Sequence, residues 1–308
     1  MRVWRDGGRM ISDNTRGALL MMGSMAAFVM NDALMKLVSA ELPLFQALLL
    51  RGIITTALFL VIAWRLGALR PQLDPRDCKL VALRVLAEAA SAYFFLSALF
   101  SMPLANVTAI LQALPLTITL AGALFLREPV GWRRLLAILV GFVGVLLIVR
   151  PDADGFDHHA IMALLAVACV TLRDLVTRRM SRAVPSMTVA LTTAAGVTAF
   201  AAVGSLGDDW VTPSTSVTLA LAGAGVLIIG GYLLSVMAMR VGELSLVTPY
   251  RYTGLVWALV LGFLVFGDWP DAITMSGAGL IVATGLFTLY RERQRIARQR
   301  RAAKSVRI

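Results

Sequence analysis

The sequence predicts an all-α membrane protein: ten transmembrane helices arranged as two inverted five-helix repeats. Three observations carry that expectation. Of 308 residues, 58% are hydrophobic and 15% charged, against roughly a quarter charged in an average soluble domain, too few to cover a water-facing surface. Apolar runs of about 20 residues, the length of helix that crosses a hydrocarbon core of roughly 30 Å, recur along the chain. The second half of the chain also repeats the layout of the first.

In chain order, the apolar runs place spans at Gly17–Val38, Leu44–Leu66, Leu80–Phe100, Leu104–Leu126, Leu135–Val149, Ala160–Met180, Met187–Leu206, Val217–Met239, Leu246–Phe266 and Ala272–Tyr290. The fifth is short. The first follows several arginines, but its apolar run exceeds that of a signal peptide and ends without a small-residue cleavage pattern, so it is a helix of the mature protein. Short connections carrying Pro, Gly or Asp make neighbouring helices antiparallel hairpins. Pro103, Pro115 and Pro249 lie at or inside spans and predict kinks. Small residues such as Ala137, Gly141, Gly144, Gly230, Gly231, Gly277 and Gly279 predict close helix contacts.

Leu104 to Arg150 is the clearest unit: two apolar runs around the corner Arg127-Glu128-Pro129-Val130-Gly131-Trp132-Arg133-Arg134. At an offset of 140 it returns as Leu244 to Arg291, with Val107-Thr108 on Val247-Thr248, Gly122 on Gly262 and Glu128 on Asp268. At an offset of 142, Asn31-Asp32 through Lys36 falls on Arg173-Asp174 through Arg178, and Pro43 on Pro185. One duplication explains both. Five spans per copy is an odd number, so the second copy crosses in the opposite sense, the inverted-repeat plan of many secondary transporters. The divisions expected are a cytoplasmic segment 1–16, repeats 17–150 and 160–290, and a basic cytoplasmic tail 291–308.

Arginine and lysine gather in alternate connections, around Arg16, Arg70, Arg133, Arg179 and Arg240 and after Arg291, while the opposite connections hold mainly Asp152, Asp154, Asp157, Asp208, Asp209 and Asp271. Basic loops face the cytoplasm, so both termini are expected there. The net charge of +11 is spread through those short segments, which suits anionic lipid headgroups and argues against a nucleic-acid partner. Cys78 and Cys169 form no framework, and the only histidines, His158 and His159, are adjacent, so no metal or cofactor site is expected.

Phe45, Arg51-Gly52 and the run Ala113-Leu-Pro115, Gly122, Leu-Arg-Glu128-Pro-Val-Gly-Trp-Arg-Arg, Gly141 and Gly144 resemble the EamA-type family of the drug/metabolite transporter superfamily, from Gly17 to Tyr290. The second copy departs from the pattern, with Asp268-Trp-Pro in place of Glu-Pro and Thr284-Gly285 in place of the paired glycines. The resemblance implies a secondary carrier of small organic solutes in a bacterial inner membrane. It leaves amino-acid or drug export, S-adenosylmethionine uptake and riboflavin uptake open, and the Asn31-Asp32-Ala-Leu-Met-Lys36 segment is most similar to the riboflavin-importing branch.

Charges within spans cost about 2.5–3.5 kcal/mol each on insertion scales and mark cavities or gates. Asp32 and Lys36, four apart on one helix face, are able to meet. With Arg173, Asp174 and Arg178 they are either symmetry-related gates or ordinary charges near helix ends. Arg84 and Glu88 repeat the spacing deeper in the membrane, as a solute or proton site or as an internal ion pair. Arg251, Tyr252 and Trp257 at the ninth span, with Tyr93 and Tyr232, offer a cation and stacking faces to a flat heterocycle. Gln112 is a polar group in hydrocarbon, suited to lining a cavity or bridging helices. A membrane enzyme would need a nucleophile–base set or metal ligands, and neither is present. The partners expected are a small solute and the lipid bilayer.

Overall fold

In a computed structural model of the chain, the residues described are 13–65, 67, 74–128, 130–150, 157–181, 183–241 and 244–305, with the side chains of 244, 245, 292 and 295–305 also outside the description. Most of the expected N-terminal segment and the acidic positions Asp152 and Asp154 lie outside them. The helices are α1 (Asp13–Val38), α2 (Leu44–Arg65), α3 (Pro75–Ser101), α4 (Leu104–Leu111), α5 (Leu114–Phe125), α6 (Trp132–Val149), α7 (His158–Arg179), α8 (Ser186–Gly204), α9 (Thr215–Val241), α10 (Leu244–Val247), α11 (Thr253–Phe266) and α12 (Ala272–Ser305). Among the described residues, ten helical spans are long and apolar enough to cross a membrane. Large apolar side chains such as Leu86, Leu124, Phe125, Trp132 and Leu264 point outward from the bundle, where lipid would meet them.

Helix starts precede several apolar runs because polar residues cap them. α3 begins at Pro75, with the Asp74 carboxylate accepting from the Arg76 N–H at 3.1 Å, and proline suits a first turn whose N–H groups are unbonded anyway. The fourth span breaks between α4 and α5 at Gln112-Ala113, ahead of Pro115. The ninth breaks at the equivalent place, where a 3₁₀ stretch Thr248–Tyr252 containing Pro249 separates α10 from α11. Proline supplies no N–H to the helical ladder, so both breaks follow from sequence. The basic tail continues α12 as helix through Ser305. At 1.5 Å per residue that helix is about 51 Å long, roughly 20 Å more than the hydrocarbon core requires.

The halves are interleaved. α1 packs on α9 and α3 on α7, while α2 packs on α8, α4 on α11 and α6 on α12. Exchanging the halves turns the first pair into the second and each remaining pair into itself, as a two-fold axis requires. The spans meet closely where glycine permits. A Cβ on Gly144 would lie 2.7 Å from the Gly277 carbonyl oxygen, and one on Gly277 would lie 2.6 Å from that of Gly144. Gly141 and Gly231 are also contact points, whereas Gly230 and Gly279 face open space. The corner motif keeps one geometry in both copies: Glu128 N–H donates to Gly122 O at 3.1 Å and Asp268 N–H to Gly262 O at 3.0 Å, through left-handed Arg127 (φ 55°) and Gly267 (φ 71°).

Candidate functional site

A cavity of about 630 Å³ lies among α1, α2, α3, α7, α8 and α9. Its walls obey the duplication. Leu48 and Ala190, Arg51 and Thr193, Gly52 and Ala194, and Thr55 and Val197 are pairs at an offset of 142, and all eight residues line it. Glu88 with Ile228 and Ala92 with Tyr232, at an offset of 140, line it as well. The cavity therefore straddles the axis relating the two halves. Its charged groups, Arg51, Arg84, Glu88 and Arg173, lie on α2, α3 and α7, while α8 and α9 supply threonine, tyrosine and apolar positions.

Arg173 is the centre of the charge network. Its Nη1 donates to Glu88 Oε2 at 3.0 Å and Oε1 at 3.2 Å, and its Nε to Asp174 Oδ1 at 2.8 Å. The expected Arg84–Glu88 pair is replaced: Glu88 is taken by Arg173, and Arg84 donates instead to Thr177 Oγ1 at 3.0 Å and Thr193 Oγ1 at 2.5 Å. Both oxygens of Glu88 meet one nitrogen of Arg173, so the carboxylate's partner comes from the facing helix and not from its own.

The expected Asp32–Lys36 contact is also replaced. Asp32 accepts from Asn31 Nδ2 at 2.9 Å. Lys36 reaches away from it, donating to the carbonyls of Leu99 (3.0 Å) and Met102 (2.6 Å), over the Phe266 ring. Asp174 and Arg178 likewise separate, since Arg178 Nη1 meets Glu128 Oε1 at 3.1 Å. Arg51, buried beside the cavity, donates to Asn31 Oδ1 at 3.4 Å.

Of the twelve candidates read from sequence, the cavity gathers Arg84, Glu88, Arg173 and Tyr232. Asp174 joins through Arg173, and Asp32 lies within electrostatic range of Arg51. Tyr93 stacks on Phe45 at 5.5 Å, so its ring is already used. Gln112 caps the break after α4, and Arg251 and Tyr252 occupy the equivalent break in the ninth span. Trp257 is half-exposed on α11. Sequence reasoning passed over Phe28, Phe59, Thr55, Thr177 and Thr193 as site residues. Arg51 stood only as a family marker, although a charge inside the second span is the signal that picks out Glu88.

The two membrane faces differ. At one face the cavity reaches Met180, Ser181, Val184 and Ser186 of the α7–α8 connection. At the other, Gln46 and Val211 exchange two hydrogen bonds (2.6 and 3.1 Å) and the Ser214 hydroxyl donates to Glu41 at 3.0 Å. Together with Lys36 these bonds seal that side. With an odd number of spans between the α1–α2 and α7–α8 connections, the sealed and reached sides are opposite faces.

Two segments of the chain, residues 15–150 and 159–290, match the model of the EamA-like transporter family. The chain belongs to that family. It is a multi-pass membrane protein and a transporter of small molecules. Among its relatives are a riboflavin transporter of Vibrio cholerae, 28% identical over 94% of this chain and 97% of that one, and a pseudopaline exporter of Pseudomonas aeruginosa, 27% identical over 86% and 93%. An S-adenosylmethionine uptake transporter of Rickettsia bellii is 27% identical over 64% of this chain and 67% of that one. A protein of known crystal structure shares the fold, with TM-score 0.61 over 90% of this chain and 98% of the other at 22% identity.

Proposed function

We propose that this transporter imports a flat, heteroatom-rich metabolite across the bacterial inner membrane by alternating access, with riboflavin the specific solute. The observation that carries the reading is the cavity on the axis between inverted repeats, reached from one face and sealed at the other. Similarity to a riboflavin transporter along nearly the whole chain supports the choice of solute. Phe28, Phe59 and Tyr232 give the walls ring faces, and the arginines and threonines give donors for ring carbonyls and ribityl hydroxyls. In this reading Arg84, Glu88, Arg173 and Tyr232 contact solute, Asp32, Asp174 and Arg51 tune the charge around it, and Lys36 and Arg178 belong to opposite gates. Residues 1–16 and 291–308 are cytoplasmic extensions of repeats 17–150 and 160–290. The basic connections then put the α7–α8 side in the cytoplasm, so the structure is inward-facing.

A second reading, export, is favoured by that same opening, because a cytoplasmic mouth is where an exporter loads, and by similarity to a pseudopaline exporter. Growth of a riboflavin auxotroph expressing the chain on low riboflavin, with labelled uptake into right-side-out vesicles, supports import. Accumulation only in inside-out vesicles supports export, and riboflavin-independent behaviour in both rejects the solute.

A further inference from the structure

We infer that the cavity carries a dedicated seat for an anionic group, a carboxylate or a phosphate monoester on the transported solute, and that Arg84 is that seat. The inference rests on the reading of this cavity as the transport path for a flavin-like ring and revises its solute, since an anionic relative of riboflavin, which itself bears no such group, is then the better ligand. Among the described residues Arg84 is hydrogen-bonded to neutral partners only: Nε to Thr177 Oγ1 and Nη1 to Thr193 Oγ1. Each hydroxyl spends its own proton on backbone, Thr177 on Arg173 O at 2.7 Å and Thr193 on Val189 O at 2.6 Å. Both therefore present lone pairs to the guanidinium and fix its plane. Of its five N–H groups, two are used, which leaves a donor edge beside the cavity it lines.

Glu88 and Asp174 are both bonded to Arg173, and among the described residues neither forms an ion pair with Arg84. Three guanidinium groups, Arg51, Arg84 and Arg173, line the cavity beside one carboxylate, Glu88. That lining is cationic, and an anion on Arg84 offsets the excess. A charge removed from bulk water without a partner is costly, and a planar fork fixed by hydroxyls matches carboxylate and phosphate oxygens bidentately. Tyr232, within electrostatic range of Arg84 and edge-on to Phe59 at 5.8 Å, marks where an attached ring would lie.

The test uses the full chain, purified and reconstituted, with three flavins sharing one ring: riboflavin, riboflavin 5′-phosphate and flavin-10-acetic acid. Half-saturating concentrations are compared at constant ionic strength. Wild type is expected to favour the two anionic flavins over riboflavin by about tenfold or more. A preference for only one of the two identifies phosphate or carboxylate. Arg84→Gln collapses the ratio toward one, and Arg84→Lys restores part of it. If Arg84→Gln does not fold, Thr193→Val, which frees the guanidinium from its fixed plane, is expected to narrow the ratio.

Equal half-saturation for all three flavins in wild type, or a proportional loss for all three in Arg84→Gln, overturns the seat while leaving riboflavin transport standing. If no flavin is bound, the riboflavin reading fails by itself, and the seat is judged with inorganic phosphate and acetate alone. A rise in melting temperature in wild type that is absent in Arg84→Gln supports it. No rise in wild type overturns it.

Discussion

The α1–α2 connection and the α7–α8 connection occupy one position in the two repeats, yet they do opposite things. Val38 and Leu42 are buried in a cluster with Leu48, Leu99 and Val217. Their counterparts at offset 142, Met180 and Val184, line the cavity. The cationic counterparts divide in the same way: Lys36 bonds two carbonyls before α4, whereas Arg178 pairs with the corner acid Glu128. Equivalent sequence thus adopts two packings in one molecule. An inverted-repeat carrier needs this asymmetry, since exchanging the two packings would seal the reached face and open the sealed one.

The largest effect expected on this arrangement comes from Arg173→Ala. It strands Glu88 and Asp174 without their cation in a part-buried site, side-chain exposures there being 22%, 27% and 31%. Breaking such a network from one side costs about 3–5 kcal/mol, toward the lower figure where a cavity admits water. Unfolding in detergent should show the loss, and uptake should fall to background, with Arg173→Lys recovering stability better than uptake. Next is Lys36→Met, which removes two charge-assisted bonds from the sealed side and nothing from the other. At about 1.5–3 kcal/mol for losing hydrogen bonds to a charged donor, the population open at that side should rise more than tenfold. The rate at which an impermeant thiol reagent modifies Ser39→Cys, in a chain with Cys78 and Cys169 replaced, should rise accordingly. An unchanged rate would mean that Lys36 is not part of the seal.

Much of this was legible in sequence because lipid permits only a few solutions. With no water to satisfy the backbone, long apolar runs must be helices, and the span limits followed to within a few residues, apart from caps such as Asp74 and the tail that prolongs α12. Pro115 and Pro249 gave the broken helices. Side-chain pairing was less legible. Spacing of four along a helix says that Arg84 can meet Glu88, but Arg173 on a facing helix competes and wins, and nothing local to either residue encodes that. Threonine was the blind spot. Thr177 and Thr193 carry no charge and break no pattern, so their part in fixing Arg84 emerges only once α3, α7 and α8 are packed.

The corner motif sharpens the comparison at smaller scale. Arg127 and Gly267 make the same left-handed turn, but only glycine does so without a steric cost. Arg127→Gly should therefore stabilise the first repeat by about 1 kcal/mol and Gly267→Ala should destabilise the second by about the same. Thermal unfolding of both variants checks this, and a loss on Arg127→Gly would show that the arginine side chain contributes more than its backbone costs.

The smallest effect lies at Asp271, where the sealed side ties α6 to α12. Its carboxylate accepts from the Thr274 N–H at 2.8 Å and from Arg150. The backbone bond first, then the Arg150 and Thr274 side chains, hold its pKa below the ordinary 3.8. A depressed folded-state value means that the stabilisation is complete above pH 3.8 and is lost as pH falls through the folded value. Asp271→Asn removes the titrating group, so melting temperature followed from pH 5 to pH 3 should fall less steeply in the variant than in wild type. The two should differ by little at neutral pH beyond a constant offset, because the pair is exposed and screened by solvent.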